Sequence, residues 1–163
     1  AFTEQAEALV AGGVDVLWIE TMSDLAEVRA AIQGVRAVTD LPFVVTMTFD
    51  TKGRTMMGVK PEQALEAIAA FKPLAVGANC GKGPDELEAT IAAMRQADDK
   101  VILVAKGNAG LPELVNGEVV YQGTPEVMAE HARRVFEIGA RIIGACCGST
   151  PAHIRAMAQA LAA

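Results

Sequence analysis

The stretch LAVGANCGKGPDELEATIAAM, running from Leu74 to Met94, decides how the chain is read. Leu74 to Ala78 is apolar or small throughout, without polar alternation, as expected for a parallel strand covered on both faces. Cys80 follows directly after that run. Pro84 then suits the first position of a helix, where its missing N–H leaves no bond unmade. A helical pattern of apolar residues continues from there, so the stretch is one strand, one turn and one helix.

The same unit recurs on either side. Val14 to Ile19, Phe43 to Phe49, Val101 to Ala105 and Arg141 to Gly144 read as further strands, each followed by a helical pattern. Pro61, Pro125 and Pro151 mark other helix starts, and Thr124 and Thr150 stand before two of them as N-caps. Asp24 and Glu27 form a capping-box-like pair ahead of a helix from Leu25 to Val38. The strands begin roughly 30 residues apart, close to the ~31 per unit of a (β/α)8 TIM barrel. The predicted class is α/β, with five βα units of such a barrel. An open doubly wound sheet is the alternative, but neither GxGxxG nor GxxxxGK[ST] occurs to support it. Phe2 to Val10 already reads as helix and the first residue is Ala1, so an upstream part of the barrel is expected.

Composition narrows the function. The 163 residues are 52% hydrophobic and 21% charged, with 14 basic against 20 acidic side chains and a formal net charge of −6. That apolar content suits a packed core rather than a disordered chain. An acidic balance argues against a nucleic-acid partner, which needs clustered Lys and Arg. No apolar run approaches the ~20 residues of a membrane helix, and no signal-like leader opens the chain, so no membrane partner and a cytoplasmic location are expected.

Three cysteines, Cys80, Cys146 and Cys147, are too few for the disulfide framework of a small secreted protein. All three fall at the carboxyl ends of predicted strands, the rim that carries active sites in barrels. Adjacent strand residues point to opposite faces, so Cys146 and Cys147 can share one ion only if the backbone turns between them. Gly144 and Gly148 bracket the pair and permit that turn. Three thiolates favour Zn²⁺, and the absence of a fourth cysteine suggests an open coordination position. Such a site suits a thiol substrate better than water. Buried apolar cysteines and a vicinal disulfide are the alternatives.

The motifs Gly77-Ala78-Asn79-Cys80 and Gly144-Ala145-Cys146-Cys147-Gly148-Ser149-Thr150-Pro151 resemble the two cysteine motifs of the homocysteine S-methyltransferases. Lys106-Gly107-Asn108-Ala109-Gly110-Leu111-Pro112 is similar to the loop between them, Ile19-Glu20-Thr21 to the acidic motif, and Gly53-Arg54-Thr55 to a turn of that family. The matches run along the whole chain in order. Phe49 to Gly58 is most similar to the bacterial betaine-type members.

The resemblance implies a single methyltransferase domain over residues 1–163, truncated at its N-terminus, with Zn²⁺ held by Cys80, Cys146 and Cys147. Homocysteine would occupy the open position through sulfur and take a methyl group from betaine, a methylated folate or a sulfonium, giving methionine. Glu20 would hold the homocysteine ammonium group, and Asn79 and Asn108 would orient ligands or substrate. A noncatalytic zinc-binding or thiol-redox module is the competing class. Ala145 stands where the family usually has Gly. Unpaired edges at Val14 to Ile19 and Arg141 to Gly144 predict homo-oligomerisation or association with the remaining barrel units. The long segment from Asn108 to Gly123 reads as a functional loop. Tyr121 within it reads as a packing anchor, and the seven methionines as core filler.

Overall fold

The computed structural model describes residues 1–162. Helix α1 (Phe2–Ala11) leads to strand β1 (Leu17–Met22), then α2 (Leu25–Arg36), β2 (Phe43–Met47), α3 (Pro61–Ala69), β3 (Ala75–Cys80), α4 (Pro84–Ala97) and β4 (Leu103–Gly107). A hairpin of β5 (Pro112–Val115) and β6 (Glu118–Tyr121) follows, then α5 (Pro125–Ile138), β7 (Ala140–Ala145) and α6 (Pro151–Ala162). The five long strands form one parallel sheet in the order β1-β2-β3-β4-β7. Every crossover therefore sets the next strand beside the last. A doubly wound sheet would reverse direction at a switch point, so the order is that of a barrel arc.

The alternation of side chains along each strand gives the sheet two different faces. Leu17, Phe43, Val45, Val76, Leu103 and Ala105 face the helices and merge with Val28, Ile32, Leu65, Ile68, Ile91 and Met94 into the main core. Each fully buried Leu, Ile or Phe contributes roughly 1.5–3 kcal/mol of transfer free energy. The opposite, concave face carries a smaller cluster of Val44, Ala75 and Val104 with Ile142. Trp18 stands on that face too, its indole Nε1 donating to Thr46 Oγ1 at 3.2 Å. Between β3 and β4 the approach is so close that a Cβ on Gly77 would lie 1.9 Å from the Val104 carbonyl oxygen.

Several expected boundaries move. The ladder of β1 begins at Leu17 rather than Val14, β3 extends to Cys80, and β4 runs from Leu103 to Gly107. The last residues but one of β3 and β4 are therefore the polar Asn79 and Lys106, because backbone pairing continues past the point where apolar side chains stop. The segment from Asn108 to Gly123 is largely a hairpin instead of an irregular loop. Its turn is Asn116-Gly117, with φ of 53° and 86°, the left-handed pair that a two-residue turn requires. Thr124 caps α5, and Asp24 accepts from Ala26 N–H at the start of α2. Met47, Met94, Met128 and Met157 are core residues, whereas Met56 and Met57 are exposed after β2. Sheet edges β1 and β7 each pair on one side only. None of the described helices is long and apolar enough to cross a membrane.

Candidate metal centre

Cys80 is the last residue of β3, and its φ of 60° turns the chain out of the strand. Strand β7 has ended at Ala145, so Cys146 and Cys147 stand on the turn that follows. The three sulfurs converge. All lie within 4.8 Å of one another, with Cys80 Sγ 3.0 Å from Cys146 Sγ and Cys146 Sγ 3.9 Å from Cys147 Sγ. Tetrahedral zinc with Zn–S of ~2.3 Å spaces sulfurs about 3.8 Å apart, so the trio fits such an ion with small side-chain adjustments. Cys80 and Cys146 are half-buried, whereas Cys147 is exposed.

Backbone bonds to residues 107–109 fix this arrangement. The Cys146 N–H donates to Gly107 O at 2.8 Å, and the Cys147 N–H donates to Asn108 Oδ1 at 3.0 Å. The Ala109 N–H donates back to Cys147 O at 2.9 Å. Asn108 Nδ2 reaches Gly81 O at 2.8 Å, so one side chain ties the turn after β3 to the turn after β7. Asn79 serves the other side: its Nδ2 donates to Thr21 Oγ1 at 2.7 Å and toward Cys80 Sγ at 3.4 Å, and its Oδ1 accepts from Thr21 N–H at 3.2 Å. Those bonds hold Thr21 at φ 63°, an uncommon conformation for a β-branched residue. A Cβ on Gly148 would lie 2.3 Å from Tyr121 Cγ, so the hairpin packs directly on the two-cysteine turn.

Crowding governs the ionisation of the thiols. Burial, followed by the neighbouring Cys146, pushes Cys80 up to about 12. Burial also opposes the ionised form of Cys146, but hydrogen bonds from Cys80, Cys147 and Asn79 outweigh it and bring this thiol below its ordinary value. One thiolate is thus favoured at Cys146, while a second at Cys80 requires a cation nearby.

Glu20 lies on β1, and its carboxylate is paired with Lys106 Nζ of β4. Lys106 also stands over the Trp18 ring, 5.0 Å from the centroid. Sequence reasoning gave Lys106 no role; a lysine near the end of an otherwise apolar strand was the available signal. Thr21, Gly107 and Ala109 were likewise missed as supports, because backbone and cross-strand bonds leave no sequence signature. Neither histidine joins the cluster: His153 caps Thr150 and bonds Gly123 O, and His131 bonds Glu88.

Fold and site together define an α/β barrel protein with a cluster of three cysteines on its carboxyl rim that could hold a metal ion. The chain belongs to the homocysteine S-methyltransferase family, whose sequence profile matches residues 1–161. It is 33% identical over 168 residues to the methionine synthase of Mycobacterium tuberculosis (strain ATCC 25618 / H37Rv), covering 99% of this chain and 14% of that protein. It superposes on the apo homocysteine methyltransferase MmuM from Escherichia coli with a TM-score of 0.78 at 22% identity, covering 98% of this chain and 56% of that one. The metallated form of MmuM gives 0.77 at 23% identity over 96% of this chain and 50% of that one. The chain thus spans a minor part of the synthase and about half of MmuM.

Proposed function

We propose that the chain carries the metal-binding half of a homocysteine S-methyltransferase, with Zn²⁺ held by Cys80, Cys146 and Cys147. The convergence of three thiols from two strands, in a chain of this family, carries the reading. Bound zinc would supply an open position for a thiol and lower that thiol's pKa. The chain's own residues do the remainder. Asn108 and Ala109 hold the Cys147 backbone, Gly107 holds Cys146, and Asn79 steers Cys80. Glu20 offers its carboxylate to the homocysteine ammonium group. In the overall reaction a new S–C bond forms at homocysteine sulfur while the donor's bond to its methyl group breaks, giving methionine. Betaine or methyltetrahydrofolate serves as donor in this reading.

The thiols require a reducing compartment such as the cytoplasm. The one-sided edges of β1 and β7 are covered in the working enzyme by further barrel strands or by another copy. Metal analysis with a methyl-transfer assay on the full-length protein tests the proposal. One zinc per chain and homocysteine-dependent product, both lost on Cys147→Ala, are expected. The 3.0 Å approach of Cys80 and Cys146 favours a second reading, a thiol-redox module. Metal-free protein that cycles between dithiol and disulfide, without methyl transfer, would establish that reading instead.

A further inference from the structure

Lys106, the partner of Glu20, takes no part in holding the three cysteines. Lys106 sits opposite Asn79 of β3 on one side and Gly144 of β7 on the other. Its neighbour Gly107 stands level with Cys80 and accepts the Cys146 N–H. The lysine is therefore one residue, about 3.3 Å along the strand, from the layer that carries the sulfurs. Its stem passes over Gly144, where the three atoms nearest to an added Cβ would be Lys106 carbons, the closest at 3.4 Å. The floor beneath it is Val44, Ala75, Val104 and Ile142, which offers the ammonium no anion. Glu20 fills that need, with the two side chains 39% and 23% exposed.

A zwitterionic substrate changes this balance. Its ammonium group takes the Glu20 carboxylate, and Lys106 is left facing the α-carboxylate beside it. We propose that Lys106 is the ligand of the substrate's α-carboxylate, and that Glu20 and Lys106 trade their mutual ion pair for one pair each with the amino acid. This inference rests on the homocysteine reading. The trade turns one ion pair into two and leaves the site's net charge unchanged. The resting pair is solvated enough to open readily, while each new contact is a charge-assisted bond beside the Trp18 ring. The site would thereby select a complete amino acid over a simple thiol.

The test is calorimetric titration of the zinc-loaded, full-length protein with homocysteine and with 3-aminopropanethiol, which differs only by lacking the carboxylate. Lys106→Met is expected to weaken homocysteine binding by roughly 10- to 100-fold, the loss of one bond between charged groups. It should leave 3-aminopropanethiol binding unchanged or tighter, because Glu20 is no longer engaged. Lys106→Arg should recover part of the homocysteine affinity. Lys106→Gln keeps a polar head and should show the same selective loss should the methionine variant fold poorly. Equal weakening of both thiols, or no change in either, overturns the inference while the homocysteine reading stands. Absence of homocysteine binding to the wild-type protein overturns both.

Discussion

Replacing Asn108 by alanine removes a side chain that ties both cysteine-bearing turns together. Asn108 is 7% exposed and makes two bonds, accepting from Cys147 N–H at 3.0 Å and donating to Gly81 O at 2.8 Å. At a net ~1 kcal/mol for each neutral hydrogen bond, Asn108→Ala should cost about 2 kcal/mol. Water can reach the exposed Cys147 side of the break, which keeps the loss at that level instead of the larger penalty of a sealed, unpaired donor. The effect on metal binding should be of similar size. The Cys147 peptide loses one of its two anchors and keeps only the bond from Ala109 N–H. Loss of a support of this kind typically lowers metal affinity by about 10- to 100-fold. Asn108→Asp keeps the acceptor for Cys147 but loses the donor to Gly81, so it should retain more metal affinity than the alanine variant. Urea unfolding and competition with a chromogenic zinc chelator measure the two quantities. An alanine variant with unchanged zinc affinity would refute the view that this residue positions Cys147, whatever its stability.

Other consequences follow from single contacts. Gly77→Ala places a methyl group 1.9 Å from a backbone oxygen that cannot rotate away, so a loss of about 3 kcal/mol or more is expected from urea midpoints; a change below ~1 kcal/mol would count against the close β3-β4 approach. In metal-stripped protein, Cys80 should be alkylated more slowly than Cys146, because the former is pushed up to about 12 and the latter is lowered; mass spectrometry of timed iodoacetamide reactions reads the order. Stability should also fall on acidification. Burial is the main reason that His131 resists protonation, so the unfolded chain gains protons first as pH drops below 6.5. Burial favours the neutral form of Glu88, but Arg134 and His131 outweigh it and lower its pKa, so further stability is lost below 4.5. Denaturant midpoints that stay flat from pH 7 to pH 4 would contradict this account.

Much of the fold could be read because each βα unit carries local instructions. A both-face-buried strand must be apolar throughout, and Pro61, Pro84, Pro125 and Pro151 are the N1 residues of four helices. Strand ends were harder to place, since Asn79 and Lys106 extend their ladder by backbone pairing after the apolar pattern has stopped, and Glu20 falls in an irregularity of β1 between Ile19 and Met22. The hairpin within Asn108 to Gly123 was signalled by Asn116-Gly117, but its exposed strands lack the apolar alternation that would have advertised them. At the candidate site, the types and rim positions of the three cysteines were legible, as was the need for a turn beside Gly148. Of their supports, Asn79 and Asn108 stood out in the motifs, whereas Thr21, Gly107 and Ala109 did not, because they act through main-chain atoms or across 58 residues of sequence.

The sequence alone determined the repeat of strand and helix, the polarity that places chain turns at one rim, and the presence of sulfur at three of those turns. These are local matters of periodicity, capping and residue type. Tertiary structure decided that Cys80 stands 3.0 Å from Cys146 although the two are 66 positions apart in sequence, and that Lys106 rather than solvent meets Glu20. Both outcomes depend on strand register, which is fixed by packing the whole sheet against its helices.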